Sequence, residues 1–377
     1  MAQEPSFTIG IEEEYLVVDP ESRDLVSELP ASLMEECERR LEGQVTSEFL
    51  RSQIEIGTRV CNSIREAREE LAHLRRTVIE VTEDHGLSLI ASSTHPFAAW
   101  NAQKHTDKER YNILARDMQA VARRLVICGM HVHVGLDDDE LRIDLMNQVS
   151  YFLPHLLAMS TSSPFWRSED TGLKCYRIAV FDELPRTGLP EIFESWGEFQ
   201  RHLDILISAG LVEDASKLWW DVRPSARFPT LELRIPDICT RVDDGITVAA
   251  VYTCLLRMLY RLKRTNQRWR KYANMLVQEN RWRAQRYGID EGLVDFGKGE
   301  IHRYADLLDE ILTLTREDQE TADCVEECER AREIVRRGTS AHWQLEVYRD
   351  ARIEGADQME ALRRVVDMLI EETRAGL

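Results

Sequence analysis

The chain has 377 residues, with 48 Lys and Arg against 67 Asp and Glu and a formal net charge of −19. That length can bury a large core, and the acidic balance excludes a protein that grips nucleic acid through a basic excess. There is no basic amphipathic stretch for a membrane surface, and no run approaches the roughly 20 apolar residues that span a bilayer.

The opening Met1-Ala2-Gln3-Glu4-Pro5 lacks a basic start and an apolar run, so it does not read as a signal peptide. No Pro/Gly/Ser linker, repeat or low-complexity tract interrupts the sequence. Residues 1–377 are expected to form a single catalytic domain, with a helical C-terminal part from roughly residue 300. The eight cysteines are scattered without a CxxC pair. Cys324 and Cys328 are one helical turn apart, a spacing that buried free thiols also show, and the expectation is reduced thiols of a cytoplasmic protein.

In chain order, Phe7 to Val18 reads as a β-strand with Glu12-Glu13-Glu14 set among β-branched and apolar residues. Side chains alternate on a strand, so Glu12 and Glu14 share one face, roughly 7 Å apart, while Glu13 takes the other. Two such carboxylates either hold a hard cation or belong to a solvated edge strand. After the turn at Asp19-Pro20 and a short helix over Ser32–Leu41, Thr46 to Gly57 gives a second half-polar segment. Glu48 and Glu55 are an odd number of residues apart, so they can face one site only if a turn or bulge intervenes.

Ser63 and Glu66 form a capping box for a long helix that stops at Gly86. A short apolar strand, Leu87–Ser92, is followed by helical spacing from about Asp107 to Ile127. Gly129 to Gly135 is again a strand, with His131 and His133 on one face and Met130, Val132 and Val134 on the other. A mostly apolar helix over about Glu140–Met159 leads into a long irregular segment rich in Arg, aromatic and turn residues, the kind of loop that carries function. Ser195 and Glu198 cap another helix. Thr230 to Ile235 is a strand with Glu232 and Arg234 on its polar face, and after Asp243 the chain is helical with breaks near Gly288–Gly299 and Gly338.

Paired as an antiparallel sheet, these strands would pack their apolar face on helices and turn the other into a cup lined by Glu12, Glu14, Glu55, His131, Glu232 and Arg234. Carboxylates with one imidazole suit Mg²⁺ or Mn²⁺ better than structural Zn²⁺, and so many negative charges call for two or more ions. Flanking arginines fit phosphate chemistry. The usual phosphate loop is absent: Gly292 to Gly299 follows a Walker A pattern in part but carries Gly299 where Ser or Thr should meet Mg²⁺. No GxSxG elbow or HExxH helix is present.

Read as a set, Gly10-Ile11-Glu12-Glu13-Glu14-Tyr15, Ser47-Glu48 with Gln53-Ile54-Glu55, Gly129 to Gly135, Ser163-Pro164-Phe165-Trp166, Asp170-Thr171-Gly172, Tyr176-Arg177, Leu184 to Gly188, Leu231-Glu232-Leu233-Arg234 and Arg283 to Gly288 resemble the YbdK-type carboxylate–amine ligases, the glutamate–cysteine ligase type 2 family. The match runs in order from residue 7 to about residue 295. The resemblance implies an α+β, glutamine-synthetase-like fold, its antiparallel sheet cupped around ATP and Mg²⁺ and packed on helices. It implies ATP-driven amide formation through an acyl phosphate, with glutamate and cysteine as the expected substrates, in glutathione biosynthesis, by a cytoplasmic homodimer. It makes Glu12, Glu14, Glu48, Glu55, His131 and Glu232 the expected metal ligands, with Glu12, Glu55 and Arg234 central to catalysis. It points Arg234 at phosphate oxygens and gives Arg177, Arg167 and Trp166 to the amino-acid substrate. Arg223 and Arg227, near Glu232 in sequence, are further ATP-binding candidates, and His133 is a candidate general base. The sequence departs from the family at Arg167-Ser168-Glu169, where a glycine is expected. Other readings of the same residues are a ligase for a different acid or amine, a nucleotide- or amino-acid-binding protein without turnover, and a metallohydrolase.

Overall fold

The acidic strand becomes the centre of the sheet. In the computed structural model, which describes residues 4–99, 103–109, 116 and 118–377, it is β1 (Ile9–Val18), followed by β2 (Val45–Ser47), β3 (Gln53–Gly57), β4 (Ser88–Ile90) and β5 (Met130–Gly135). Residues 165–220 contribute two small ribbons, β6 (Phe165–Trp166) with β7 (Glu169–Asp170) and β8 (Thr187–Gly188) with β9 (Trp219–Trp220). With β10 (Val222–Pro224) and β11 (Thr230–Leu233), the main sheet has seven strands in the order β10-β11-β5-β1-β3-β2, and β4 adds to β1 beyond the end of β5. Every pairing in this sheet is antiparallel.

The odd-numbered side chains of β1 face the core. Ile9, Ile11 and Tyr15 are buried there with Ile54, Ile56, Met130, Val132, Val134, Leu231 and Leu233, against the helices Ile64–Asp84 and Val242–Arg264. Ser63 caps the first of these by accepting from Glu66 N, as the capping-box spacing predicts. Val242–Arg264 corrects the expectation that no stretch reaches the length and composition of a bilayer span: this 23-residue helix does, and most of its apolar window is buried inside the fold. Its apolar residues serve the core between the sheet and the C-terminal helices.

The segment Thr46–Gly57 is not one strand. A turn over residues 48–52 separates β2 from β3, and this supplies the parity change that lets Glu48 face the same way as Glu55. The helix expected over 140–159 is interrupted by a short 3₁₀ stretch at Ser150–Phe152, with Pro154 at the start of its second half, Leu153–Ser160. Of the helical spacing expected from about Asp107 to Ile127, residues 110–115 and 117 lie outside the described residues, as do residues 1–3 of the opening segment; toward its end the chain is helical over Ala120–Arg123 and leaves the helix before Ile127. Gly292 to Gly299 belongs to a hairpin, β12 (Leu293–Asp295) and β13 (Glu300–His302), not to a phosphate loop. Five helices from Tyr304 to Thr373 complete the chain. The last of them packs on β4, so the hydrophobic core runs continuously from Phe7 to Leu369.

Candidate active site

Antiparallel register decides which polar residues meet. Glu12 lies opposite His131 and Glu14 opposite Glu55. Glu232 lies opposite both His133 and Arg223. Directly opposed residues share a face, so the even-numbered glutamates of β1, both histidines of β5 and the Glu232–Arg223 pair converge on one side. They line a cavity of about 370 Å³ together with Glu48, Arg177, Arg227 and Arg234.

Two groups of ligand-capable side chains stand within it. Ligand atoms of Glu12, His131 and Glu232 lie within 4.8 Å of one another, and so do those of Glu14, Glu48 and Glu55. Together these are the six residues expected to bind metal. In the first group, His131 Nδ1 is 3.0 Å from Glu12 Oε2. A Nδ1–H donated there leaves Nε2 with its lone pair free to ligate. Burial and the Arg234 charge push the His131 pKa down to about 4, which keeps the ring neutral. Burial opposes charge on Glu12, yet the neighbouring His131 and His133 hold its carboxyl well below the usual range. Burial likewise opposes charge on Glu232, and the Arg234 and Arg223 guanidinium groups outweigh it.

The second group behaves in the opposite way. Burial, followed by the Glu48 carboxylate, pushes the Glu14 carboxyl up to about 7, against the pull of Arg177 and the Gly129 N–H. Glu55 is raised well above its ordinary value by burial and by Glu48, Glu12 and Glu14. Such mutual repulsion is the electrostatic signature of a site built for an added positive charge. The donor set, carboxylates with one neutral imidazole, fits hard divalent cations. Two buried polar atoms of the cup also make no hydrogen bond: Arg234 Nε and His133 Nε2. His133 Nε2 stands 3.5 Å from Glu12 Oε1, while its Nδ1 is held by Thr230 Oγ1 at 2.9 Å.

The arginines are fixed from behind. Arg223 grips Glu232 through Nε at 2.9 Å and Nη2 at 3.1 Å, and its Nη1 bonds the carbonyls of Ser216 and Leu218. Arg234 donates to the same carboxylate, and its backbone N–H is held by the Asp221 carbonyl at 2.8 Å. Asp221 is buried and ion-paired with Arg281, Oδ2 to Nε 2.6 Å. Arg177, 3% exposed, bonds the carbonyls of Ile235 and Arg234 at 3.2 and 3.1 Å and packs on Gly129, where an added Cβ would lie 2.9 Å from its Cζ.

Trp166 and Arg167 do not line the cup. Trp166 is buried against Tyr176, ring centroids 5.5 Å apart. Arg167 is exposed in the two-residue turn of the β6–β7 ribbon. Arg167 and Ser168 both take left-handed backbone, φ 52° and 70°, the conformation glycine adopts without cost and the place where the sequence departs from the family pattern. Residues given no site role from sequence also line the cavity: Thr46, Gln53, Lys108, Lys217 and Trp219. The Trp219-Trp220 pair was the available signal, since aromatic residues beside an arginine-bearing strand are suited to a wall. The Arg283–Gly288 motif acts at one remove, because the Gln285 carbonyl accepts from Lys174 N and Cys175 N and anchors the loop that precedes Arg177.

The profile of glutamate–cysteine ligase family 2 (GCS2) matches residues 8–368. A Rhodospirillum rubrum protein that carries the name glutamate–cysteine ligase 2 provisionally is 60% identical over 379 residues, covering 100% of this chain and 97% of its own length. A Jannaschia sp. relative with the same provisional name is 52% identical over 371 residues, covering 98% of each chain. Among solved structures, the glutamate–cysteine ligase of Francisella tularensis in complex with AMP superposes with a TM-score of 0.68 at 13% identity, over 99% of this chain and 90% of that one. That likeness establishes the α+β fold.

Proposed function

The chain belongs to glutamate–cysteine ligase family 2 and is an ATP-dependent carboxylate–amine ligase, and from that premise we propose that it joins glutamate to cysteine through a γ-glutamyl phosphate. In this reading the substrate carboxylate attacks the γ-phosphorus of ATP and ADP leaves. The amine nitrogen then attacks the acyl carbon, phosphate leaves, and the amine's proton passes to a base. The product is γ-glutamylcysteine, the thiol dipeptide of glutathione biosynthesis, made in the cytoplasm, and a homodimer is the expected assembly.

The observation that carries the reading is the pair of ligand groups on one sheet face, flanked by arginines. Glu12, His131 and Glu232, and Glu14, Glu48 and Glu55, would hold Mg²⁺ or Mn²⁺. Bound there, such ions neutralise phosphoryl oxygens and reduce their repulsion of an incoming carboxylate. Arg234, with Arg223 and Arg227 on the same wall, would meet the phosphate chain, where planar guanidinium groups pair oxygens in two directions. Arg177 would hold the carboxylate of an amino-acid substrate. His133, whose Nε2 makes no hydrogen bond and stands 3.5 Å from Glu12 Oε1, is the group proposed to take the amine's proton.

The test is ADP release by the purified protein with Mg²⁺-ATP while glutamate and other acids are scanned against cysteine and other amines. ADP formed only with glutamate and cysteine together, and γ-glutamylcysteine identified by mass, supports this assignment. Turnover with another pair overturns the substrates and keeps the ligase. ADP release without any amine favours a hydrolase instead.

A further inference from the structure

A second cluster of ligand-capable side chains lies among the helices, apart from the cup. Cys254, on the helix Val242–Arg264, meets Cys324 and Cys328 at the start of the helix Val325–Arg337. All are fully buried. Cys254 Sγ is 3.4 Å from Cys324 Sγ and 3.9 Å from Cys328 Sγ, and the sulfurs all lie within 4.8 Å of one another. Three sulfurs bound to one metal at 2.3 Å stand about 4 Å apart, so these separations bracket that arrangement without backbone movement.

The surroundings favour a thiolate at Cys324, while the sulfur–sulfur contacts and burial push the Cys254 and Cys328 thiols up, so those two would give up their protons to a bound soft ion. Cys324 occupies the N-cap position of its helix, where the exposed N–H groups stabilise negative sulfur. Arg257 follows Cys254 on the same face at a spacing of three, and its buried Nε has no hydrogen-bond partner. Its guanidinium rests over Phe7, 4.4 Å from the ring centroid, and its charge acts on Cys324. The nearby carboxylate of Asp318 is engaged by Arg261 at 2.7 Å, which leaves three sulfurs as the donor set. We propose that Cys254, Cys324 and Cys328 form a closed three-sulfur site for a thiophilic cation that accepts three donors, Cu⁺, and that it ties the helix Val325–Arg337 to the core. Soft thiolates select such ions over Mg²⁺, so this site and the cup would not compete for metal. A site closed within a helix interface loads as the chain folds.

To test this, the full chain is expressed in medium supplemented with copper, then dialysed against EDTA to strip oxygen-bound ions from the cup. The expected result is about one retained ion per chain with a thiolate-to-metal charge-transfer band. The band is lost in Cys328→Ser and kept in Cys37→Ser, whose thiol lies outside the cluster. Alkylation of the wild-type protein during partial unfolding, read by peptide mass spectrometry, should spare Cys254, Cys324 and Cys328 only in the metal-loaded sample, and this readout decides if Cys328→Ser fails to fold. No band and no protection would overturn the proposal, as would a band that survives Cys328→Ser. A Cys254–Cys324 disulfide in the purified chain would also overturn it.

Discussion

Glu13 and Arg75 form a fully buried ion pair on the face of the sheet opposite the cup, with Arg75 Nη2 2.7 Å from Glu13 Oε1 and both side chains 0% exposed. Tyr15 OH donates to the same carboxylate. Arg75 also bonds the carbonyls of Thr240 and Cys239, at 2.6 and 3.1 Å, so β1, the helix Ile64–Asp84 and the loop leading into the helix Val242–Arg264 meet at one guanidinium. Removing one partner strands a charge in the core. Arg75→Leu is expected to cost about 3–5 kcal/mol of stability, read by urea unfolding, and the paired change Glu13→Leu/Arg75→Leu should recover part of it. Near-wild-type stability of the single variant would show that water reaches the pair.

On the other face, Glu12→Gln and Glu232→Gln should each lower ATP turnover by about 100-fold or more, since loss of even a supporting contact around a metal ligand typically costs roughly 10–100-fold. The carboxamide keeps the shape, so thermal unfolding of Glu12→Gln with EDTA present should move little, whereas Glu232→Gln leaves Arg223 and Arg234 without their buried carboxylate and should unfold at a lower temperature. Turnover near normal in either variant would remove that residue from the metal cup.

Glu14 gives the cup a pH signature. Its pKa is raised from 4.5 to about 7 in the folded chain, so the folded state binds that proton more tightly than the unfolded state. The stability it contributes is complete below pH 4.5 and is lost as pH rises through 7. A divalent ion among Glu14, Glu48 and Glu55 offsets the repulsion that appears on ionisation. The melting temperature gained by replacing EDTA with Mg²⁺ is therefore expected to be larger at about pH 8 than at about pH 5.5, by at least about 2 °C. A gain that is flat or shrinks with rising pH would sink the cation assignment of this group.

Gly129 sets Arg177. A methyl group there would enter the space of the guanidinium, and overpacking of this kind costs about 1–3 kcal/mol. Gly129→Ala should raise the KM for an amino-acid substrate by about 10-fold while leaving the KM for ATP nearly unchanged, because Arg177 is displaced from the carbonyls of Arg234 and Ile235. Measured KM values for both amino acids equal to wild type would separate Arg177 from substrate binding.

The cup was readable from sequence because strand periodicity is strict. Alternation alone puts Glu12 with Glu14 and His131 with His133, and the register of β5 on β1 then brings the two sets together. The meeting of Glu48 with Glu55 needed a turn that periodicity could only require, and the turn over residues 48–52 supplies it. What alternation cannot supply is the partner of a lone inward charge. Arg75 looks like any arginine on an amphipathic helix, and its pairing with Glu13 spans 62 positions. Arg167 and Trp166 mark another limit, since within an irregular segment no period says which side chains turn toward a site.

The three consecutive glutamates of β1 also act as a lock on strand alignment. A shift of β1 by one residue would carry Glu12 and Glu14 into the hydrocarbon interior, eject Glu13 from Arg75 and turn Ile11 and Tyr15 toward the cavity. Burying Glu12 and Glu14 and stranding Arg75 each cost several kcal/mol through desolvated charge, and exposing Ile11 and Tyr15 forfeits their apolar burial. The residues that concentrate negative charge on one side therefore penalise the misaligned sheet far more than a run of valines would. A strand of purely apolar residues in this central position could slide; this one has a single admissible seat.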